Sequence, residues 1–329
     1  VPTVSDVAAR AGVSTATVSR ALNGKPTVDP GLAERVRAAA AELGYQPNGP
    51  ARNLRRQEAA VVALIISDVE NPFFTAIARG VEDVAHEVRY SVVLCNSDES
   101  AEKENRYLDV ALQERVAGVI LSPSGPGTSV AKLASRGTAY VAVDRPLPGA
   151  DSDVVLVDTR LAAREATAHL VAQGYERIGC LTGPSGVRTA DDRLAGYRDA
   201  LRAARRRTAK LVRRTEFKAA GAYRATHDLL ARPEPPDALL IANNAMAVGA
   251  LQALQERGVR VGRDVGVVTF DDAPWAALVD PPLTVVAQPA YELGTEAARL
   301  LLARIADPTR PPTATTLGAR RIERASSSR

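Results

Sequence analysis

From Ala60 onward, eight short runs rich in Val, Ile and Leu alternate with stretches of helical spacing: VVALIISDV, SVVLCNSD, AGVILSPS, AYVAVD, DVVLVD, RIGCLTG, DALLIANN and DVGVVTFDD. Continuous apolar runs of this length are strands buried on both faces, the condition of a parallel sheet covered by crossover helices. Strands that alternate with helices therefore require an α/β architecture built on parallel sheets. One doubly wound sheet of about five or six strands cannot hold eight, so two lobes are expected. Ligands bind such sheets at the ends of the strands, and here those ends carry polar or aromatic groups: Asp68 to Phe74 as DVENPFF, Asp144 with Arg145, Asn243 with Asn244, and Asp271 with Asp272. Asp144 and Asp271 can alternatively cap a following helix, and Phe74 or Phe217 can belong to the core.

The first 57 residues have another character. They hold eight Lys and Arg against four Asp and Glu, while Glu58 to Arg329 hold 34 against 34, so the formal net charge of +4 sits at one end. A polyanion met there would release its counterions. Thr3 and Asp6 have the spacing of a reciprocal N-terminal cap ahead of Val4, Val7, Ala8 and Ala11, so a first helix is expected to run to about Ala11. Gly12 permits a turn, Val13 plugs the corner, and Ser14 caps a second helix that begins at Thr15. On it Val18 and Leu22 face inward, which leaves Thr15, Ala16, Thr17, Ser19 and Arg20 on or near the opposite surface. Such a helix fits the major groove of duplex DNA, and Arg20 is long enough for a bidentate contact to guanine. A third helix is expected from the Asp29 cap and Pro30 to Gly44, with Leu32, Val36, Ala39, Ala40 and Leu43 inward. Gln46 to Gln57 lacks a continuous apolar face and is too short and polar to hold a helix alone; Arg52, Arg55 and Arg56 are available there for phosphates.

AGVSTATVSRALNG followed by LGYQPNGPARNLR resembles the head and hinge of the LacI/GalR family of bacterial transcription regulators, and the resemblance continues through the body. It implies an N-terminal all-α helix-turn-helix DNA-binding domain (1–46, motif about 3–24), a hinge (47–57), and an α/β two-lobed periplasmic-binding-protein-like core of two doubly wound parallel sheets (58–329). Lobe 1 would hold about 58–157 and 289–317, and lobe 2 about 158–288 and 318–329, with crossovers near 158, 288 and 318. Leu54 would enter the minor groove at the centre of a pseudo-palindromic operator, beside Arg52, Arg55 and Arg56. DNA contacts from the head would come from Ser14, Thr15, Ala16, Thr17 and Arg20. Arg193 matches the arginine with which the family grips its effector. Phe74, Asp144, Phe217, Asn243, Asp271 and Gln288 align with pocket positions, and Arg145 stands beside them. Val187 occupies the place of an arginine in the purine-binding branch, which argues against a purine ligand.

A homodimeric repressor that binds double-stranded operator DNA and is controlled by a small molecule, a sugar or sugar derivative, is therefore expected. No cofactor, metal or catalytic residue is expected: Cys95 and Cys180 are isolated thiols placed like buried ones, and His86, His169 and His227 lie apart on helical stretches. No G-x-G-x-x-G, P-loop or nucleophile-elbow pattern is present to support an enzyme. A secreted sugar-binding protein would share the body but not the head. Without an apolar run of about 18 residues or a charged-then-apolar leader, a cytoplasmic location with no membrane partner is expected.

Overall fold

A computed structural model describes residues 2–22, 27–45, 59–206 and 210–329. Arg52, Leu54, Arg55 and Arg56 lie outside the described residues. The chain divides into two compact units, Val1–Ala59 and Ala60–Arg329.

Among the described residues the first unit holds three helices: α1 (Val4–Ala11), α2 (Thr15–Leu22) and α3 (Pro30–Glu42). Thr3 N–H donates to Asp6 Oδ2 (2.7 Å) and Asp6 N–H to Thr3 Oγ1 (3.4 Å), so two of the orphan donors at the start of α1 are satisfied reciprocally. Gly12 turns the chain with φ 66°, the left-handed geometry open to glycine. Asp29 accepts from Leu32 N–H (3.0 Å) to start α3, with Pro30 as its first residue. Val7, Ala8, Val18, Ala21, Val36, Ala39 and Ala40 form the core. Leu22 and Leu43 pack only half-buried around it, and Leu32 is likewise half-buried; the small Ala21 takes the deeper position. An ion pair at 2.8 Å from Arg10 to Glu42 ties α1 to α3 at the surface.

The second unit holds twelve strands rather than eight, because four short strands gave no long apolar run. One sheet has the order β11 (Ala314–Leu317), β5 (Asp153–Val157), β4 (Ala139–Val143), β3 (Val116–Leu121), β1 (Ala59–Ile66), β2 (Ser91–Asn96). The other has β12 (Arg320–Ile322), β10 (Thr284–Ala287), β9 (Gly266–Phe270), β8 (Ala238–Ile241), β6 (Ile178–Thr182), β7 (Val212–Arg214). Pairing is parallel in both, apart from β10 against β12, which is antiparallel. Helices cover both faces of each sheet. The first is packed by α4 (Pro72–Glu87) and α11 (Ala290–Ala306) on one side, and by α5 (Ala101–Gln113) and α6 (Ala131–Ser135) on the other. The second is packed by α7 (Thr159–Ala172) and α8 (Arg188–Ala203) on one side, and by α9 (Ala219–Leu230) and α10 (Asn244–Glu256) on the other. Burial on both faces is why the strand runs are continuously apolar. The chain passes between the sheets after β5, after β10 and after β11, so three crossover segments link the two lobes.

Helices α4 and α11 touch backbone to backbone. A Cβ on Gly80 would lie 2.2 Å from Tyr291 O, and one on Gly294 would lie 2.1 Å from Ile77 O, so both positions require glycine. Cys180 is a buried free thiol as expected, but Cys95 is only half-buried because β2 is the open edge of its sheet. No helix among the described residues is long and apolar enough to cross a membrane.

Candidate functional site: a helical surface and an interlobe cleft

On the head, Ser14 Oγ accepts from Thr17 N–H (3.2 Å) and lies 2.9 Å from the Thr17 hydroxyl, so these two polar groups cap α2 and engage each other. Thr15, Ala16 and Arg20 are exposed, and Thr17 is half-buried. Arg20 makes no ion pair or hydrogen bond among the described residues. The face therefore offers one free guanidinium, two short side chains and a hydroxyl pair, a combination suited to base edges and phosphates.

In the body, the strand ends of both lobes open onto one cleft, part of whose roughly 360 Å³ is open to solvent. Lobe 1 supplies Asp68, Asn71, Phe73, Phe74, Glu99, Asp144 and Arg145; lobe 2 supplies Thr189, Arg193, Phe217, Asn243, Asp271 and, at its exit to the crossover, Gln288. All eight residues expected from the sequence line it. Of the other five, Asp68, Asn71 and Phe73 lie in the DVENPFF segment already marked as a strand end, whereas Glu99, on the turn after β2, and Thr189, the second residue of α8, carried weaker signals. Asp272 turns away and pairs with Arg324 at 2.8 Å. Asn244 does not line the cleft but spans the lobes beside it, its Nδ2 donating to Asn71 Oδ1 (2.7 Å) and Asp271 Oδ2 (3.1 Å).

The two lobes present their aspartates in matching ways. Asp144 follows β4 with φ 68°, and Asp271 follows β9 with φ 71°, both in the left-handed region that non-glycine residues seldom occupy. Each is held there by its own N–H, which donates to the adjoining strand at 2.9 Å, Asp144 to Val155 O and Asp271 to Val286 O. Neither caps a following helix, although Asp271 Oδ2 accepts from Asn244 N–H (3.4 Å) at the start of α10. Strained backbone of this kind costs about 1–3 kcal/mol per residue and aims a side chain where regular structure would not.

Arg145 donates to Glu99 in a two-pronged pair (Nη1 2.7 Å, Nη2 2.8 Å) and from Nη1 to Pro123 O (3.2 Å), and its Nε lies 3.3 Å from Asp144. Its guanidinium lies 5.6 Å from the centre of the Phe217 ring of the opposite lobe. A Cβ on Gly183 would lie 2.3 Å from that ring, so the glycine makes the room it occupies. Arg193 donates from Nη1 to Ala242 O (2.5 Å) and from Nη2 to Gln288 Oε1 (3.3 Å), and stacks 4.3 Å over Phe270. Gln288 Nε2 donates to Asp271 Oδ1 (2.7 Å). Asn243 caps α10, accepting from Met246 N–H (2.8 Å).

These groups are almost wholly buried: Asp144, Arg193 and Asp271 expose 6%, 5% and 6% of their surfaces. Burial raises the carboxyl pKa of Asp144, opposed by Arg145 and then Arg193, and that of Asp271, opposed by Arg193 and Gln288. Burial likewise lowers the pKa of Arg193, opposed by the two aspartates. For Arg145 burial also acts downward, but Glu99 outweighs it and the net shift is upward. Nε of Arg145 and Nε of Arg193 are buried without a hydrogen-bond acceptor. Water-excluded donors and carboxylates facing one another across a gap are suited to a polar ligand that both donates and accepts, with aromatic rings to cover its apolar faces.

Residues 3–48 match the lacI family of bacterial regulatory proteins, and residues 167–327 match a periplasmic binding protein-like domain. The chain is 38% identical over 304 residues to the ribose operon repressor of Halalkalibacterium halodurans, spanning 92% of this chain and 90% of that one. It is similar to the lac repressor dimer bound to operator and the anti-inducer ONPF, with a TM-score of 0.86 and 27% identity over 100% of this chain and 99% of that one. A complex of the transcriptional regulator CelR with cellobiose is 34% identical, with a TM-score of 0.75 over 99% of this chain and 100% of that one.

Proposed function

The chain belongs to the lacI family of bacterial regulatory proteins, and from that footing we propose that it is a transcriptional repressor whose grip on operator DNA is set by a sugar held between the lobes. The observation that carries this reading is the convergence of buried carboxylates, guanidinium groups and aromatic rings from both lobes on one cleft, in a chain that also bears a helix-turn-helix head. A sugar hydroxyl can donate to Asp144 of lobe 1 and accept from the Arg193 guanidinium of lobe 2, so one ligand ties the lobes together. Phe74 and Phe217 cover the apolar face of the ring.

Ligand-dependent lobe closure alters how the heads of a homodimer are spaced on a pseudo-palindromic operator. Thr15, Ala16 and Arg20 read the major groove, with Ser14 and Thr17 at the start of the same helix, while the segment 47–57 supplies Leu54 to the minor groove and Arg52, Arg55 and Arg56 to phosphates. The head is residues 1–46 and the sensing body 58–329. A protein of this kind works in the cytoplasm, where its DNA is. The alternative, a secreted sugar carrier, has no use for the head.

Ribose is the first sugar to test, given the relatives named ribose operon repressors. Fluorescence anisotropy on an operator-bearing fragment should show the dissociation constant change about 5- to 150-fold on saturation with the right sugar, and the sugar's own affinity should change by the same factor when DNA is bound. Operator affinity that no sugar moves, in a protein that does bind one, would sink the coupling.

A further inference from the structure

Whether the sugar carries charge is a matter of the cations in the cleft, and all of them are engaged. The Arg145 fork is closed on Glu99 at 2.7 and 2.8 Å, and the Nη groups of Arg193 donate to Ala242 O and Gln288. At the cleft edge Lys218, from lobe 2, reaches across to lobe 1 and donates to Asp68 and Asp98, each at 2.9 Å. Burial lowers the pKa of this lysine, but its two carboxylate partners outweigh that and push it up to about 12. Asp98 and Glu99 are consecutive residues with φ 53° and 58°, so a single tight turn presents one carboxylate to each cation. With Asp144 and Asp271 added, five carboxylates face four cations around the cleft, Lys103 standing 3.6 Å from Asp98 as the fourth.

A phosphate group is held most firmly by an open guanidinium fork or a free ammonium. Here the Arg145 fork is already taken by Glu99 and the Lys218 ammonium by Asp68 and Asp98, so a phosphate would have to displace a carboxylate while meeting a surplus of like charge in a water-poor site. An uncharged hydroxyl faces neither obstacle, since it donates to a carboxylate and need displace none. We propose that the cleft takes an uncharged polyol and rejects the phosphate ester of the same sugar, with Glu99 on Arg145 and the Asp68–Lys218–Asp98 bridge as the groups that set this choice. The inference rests on the sugar reading above.

Titration calorimetry on the full chain, with ribose against ribose 5-phosphate and glucose against glucose 6-phosphate, tests it in the wild type and in Glu99→Gln and Asp98→Asn. Both substitutions keep a side chain of similar size, and Asn is at ease at a left-handed position. The expected result is a neutral sugar that binds at least 100-fold tighter than its phosphate. Each variant should narrow that ratio at least tenfold by gaining phosphate affinity, a gain that a merely damaged pocket does not produce. A phosphate ester that binds the wild type as tightly as its neutral parent overturns the charge argument while leaving a sugar in the cleft. An unchanged ratio in both variants overturns the assignment of the determinants. Silence from every sugar and every ester removes the sugar reading, and this inference with it.

Discussion

On the proposed reading, Asp144 trades stability for recognition. It is buried, strained at φ 68°, and its carboxyl pKa is raised by desolvation despite Arg145 and Arg193. A folded-state pKa above the unfolded one means that this residue favours folding below the unfolded value, and that the benefit is lost as pH rises through the folded value. At neutral pH the ionised Asp144 therefore works against the ligand-free fold. Asp144→Asn, which keeps the left-handed geometry and leaves Arg145 on Glu99, should raise the melting temperature of the ligand-free body by about 2–4 °C. It should also weaken sugar binding at least tenfold. Scanning calorimetry and ligand titration on the same sample check both, and a lower melting temperature with unchanged affinity would contradict the assignment. In the wild type, sugar affinity should fall as pH is lowered through the raised carboxyl pKa values of Asp144 and Asp271, because protonation removes their charge and turns one acceptor oxygen of each into a donor.

At the scale of elements, the cleft depends on how closely helices pack behind it. Helix α4 starts at Asn71, which accepts from Phe73 N–H (2.9 Å), and its first turn carries Phe73 and Phe74 into the cleft. Its other contact is the glycine seam with α11, where backbone rather than a flexible side chain lies 2.1 Å from a Cβ built on Gly294. Gly294→Ala should push the two helices apart at a cost of about 1–3 kcal/mol, visible as a lower urea midpoint, and should weaken the ligand by displacing Phe74. Full stability in this variant would mean that the seam yields more easily than backbone contact allows. Three of the five lining residues outside the expected set belong to such junctions: Asn71 as a cap, Glu99 on the tight turn after β2, and Thr189 in the first turn of α8.

For the whole molecule, the charge division is the governing fact: the net +4 lies within the first 57 residues, and the body is balanced. Operator affinity should therefore fall steeply with salt. If the dimer neutralises about 6–10 phosphates, the loss between 50 and 200 mM salt is about 10³- to 10⁵-fold. Arg56→Ala should weaken all DNA sequences alike and shallow that slope by about one per contact removed, whereas Arg20→Ala should relax base preference. Gel shifts across operator variants and salt concentrations separate the two, and equal losses from both substitutions on every sequence would refute the division between backbone and base contacts.

What the sequence determined by itself is local. Caps at Thr3, Ser14 and Asp29, the turn at Gly12, and the continuous apolar runs of the long strands are legible because hydrogen-bonding needs at helix ends and burial on two faces act on neighbouring residues. Strand ends that bear Asp68, Asp144, Asn243 and Asp271 are legible for the same reason. The tertiary structure alone decided which strand ends meet, that Asn244 reaches Asn71 and Lys218 reaches Asp68 and Asp98 across the lobes, and that Glu99 closes on Arg145. It also made strands of short segments such as Arg320–Ile322 that no periodicity marks. Those pairings join residues up to 173 positions apart, and they exist only because two sheets twist and face each other, a condition no short stretch of chain encodes.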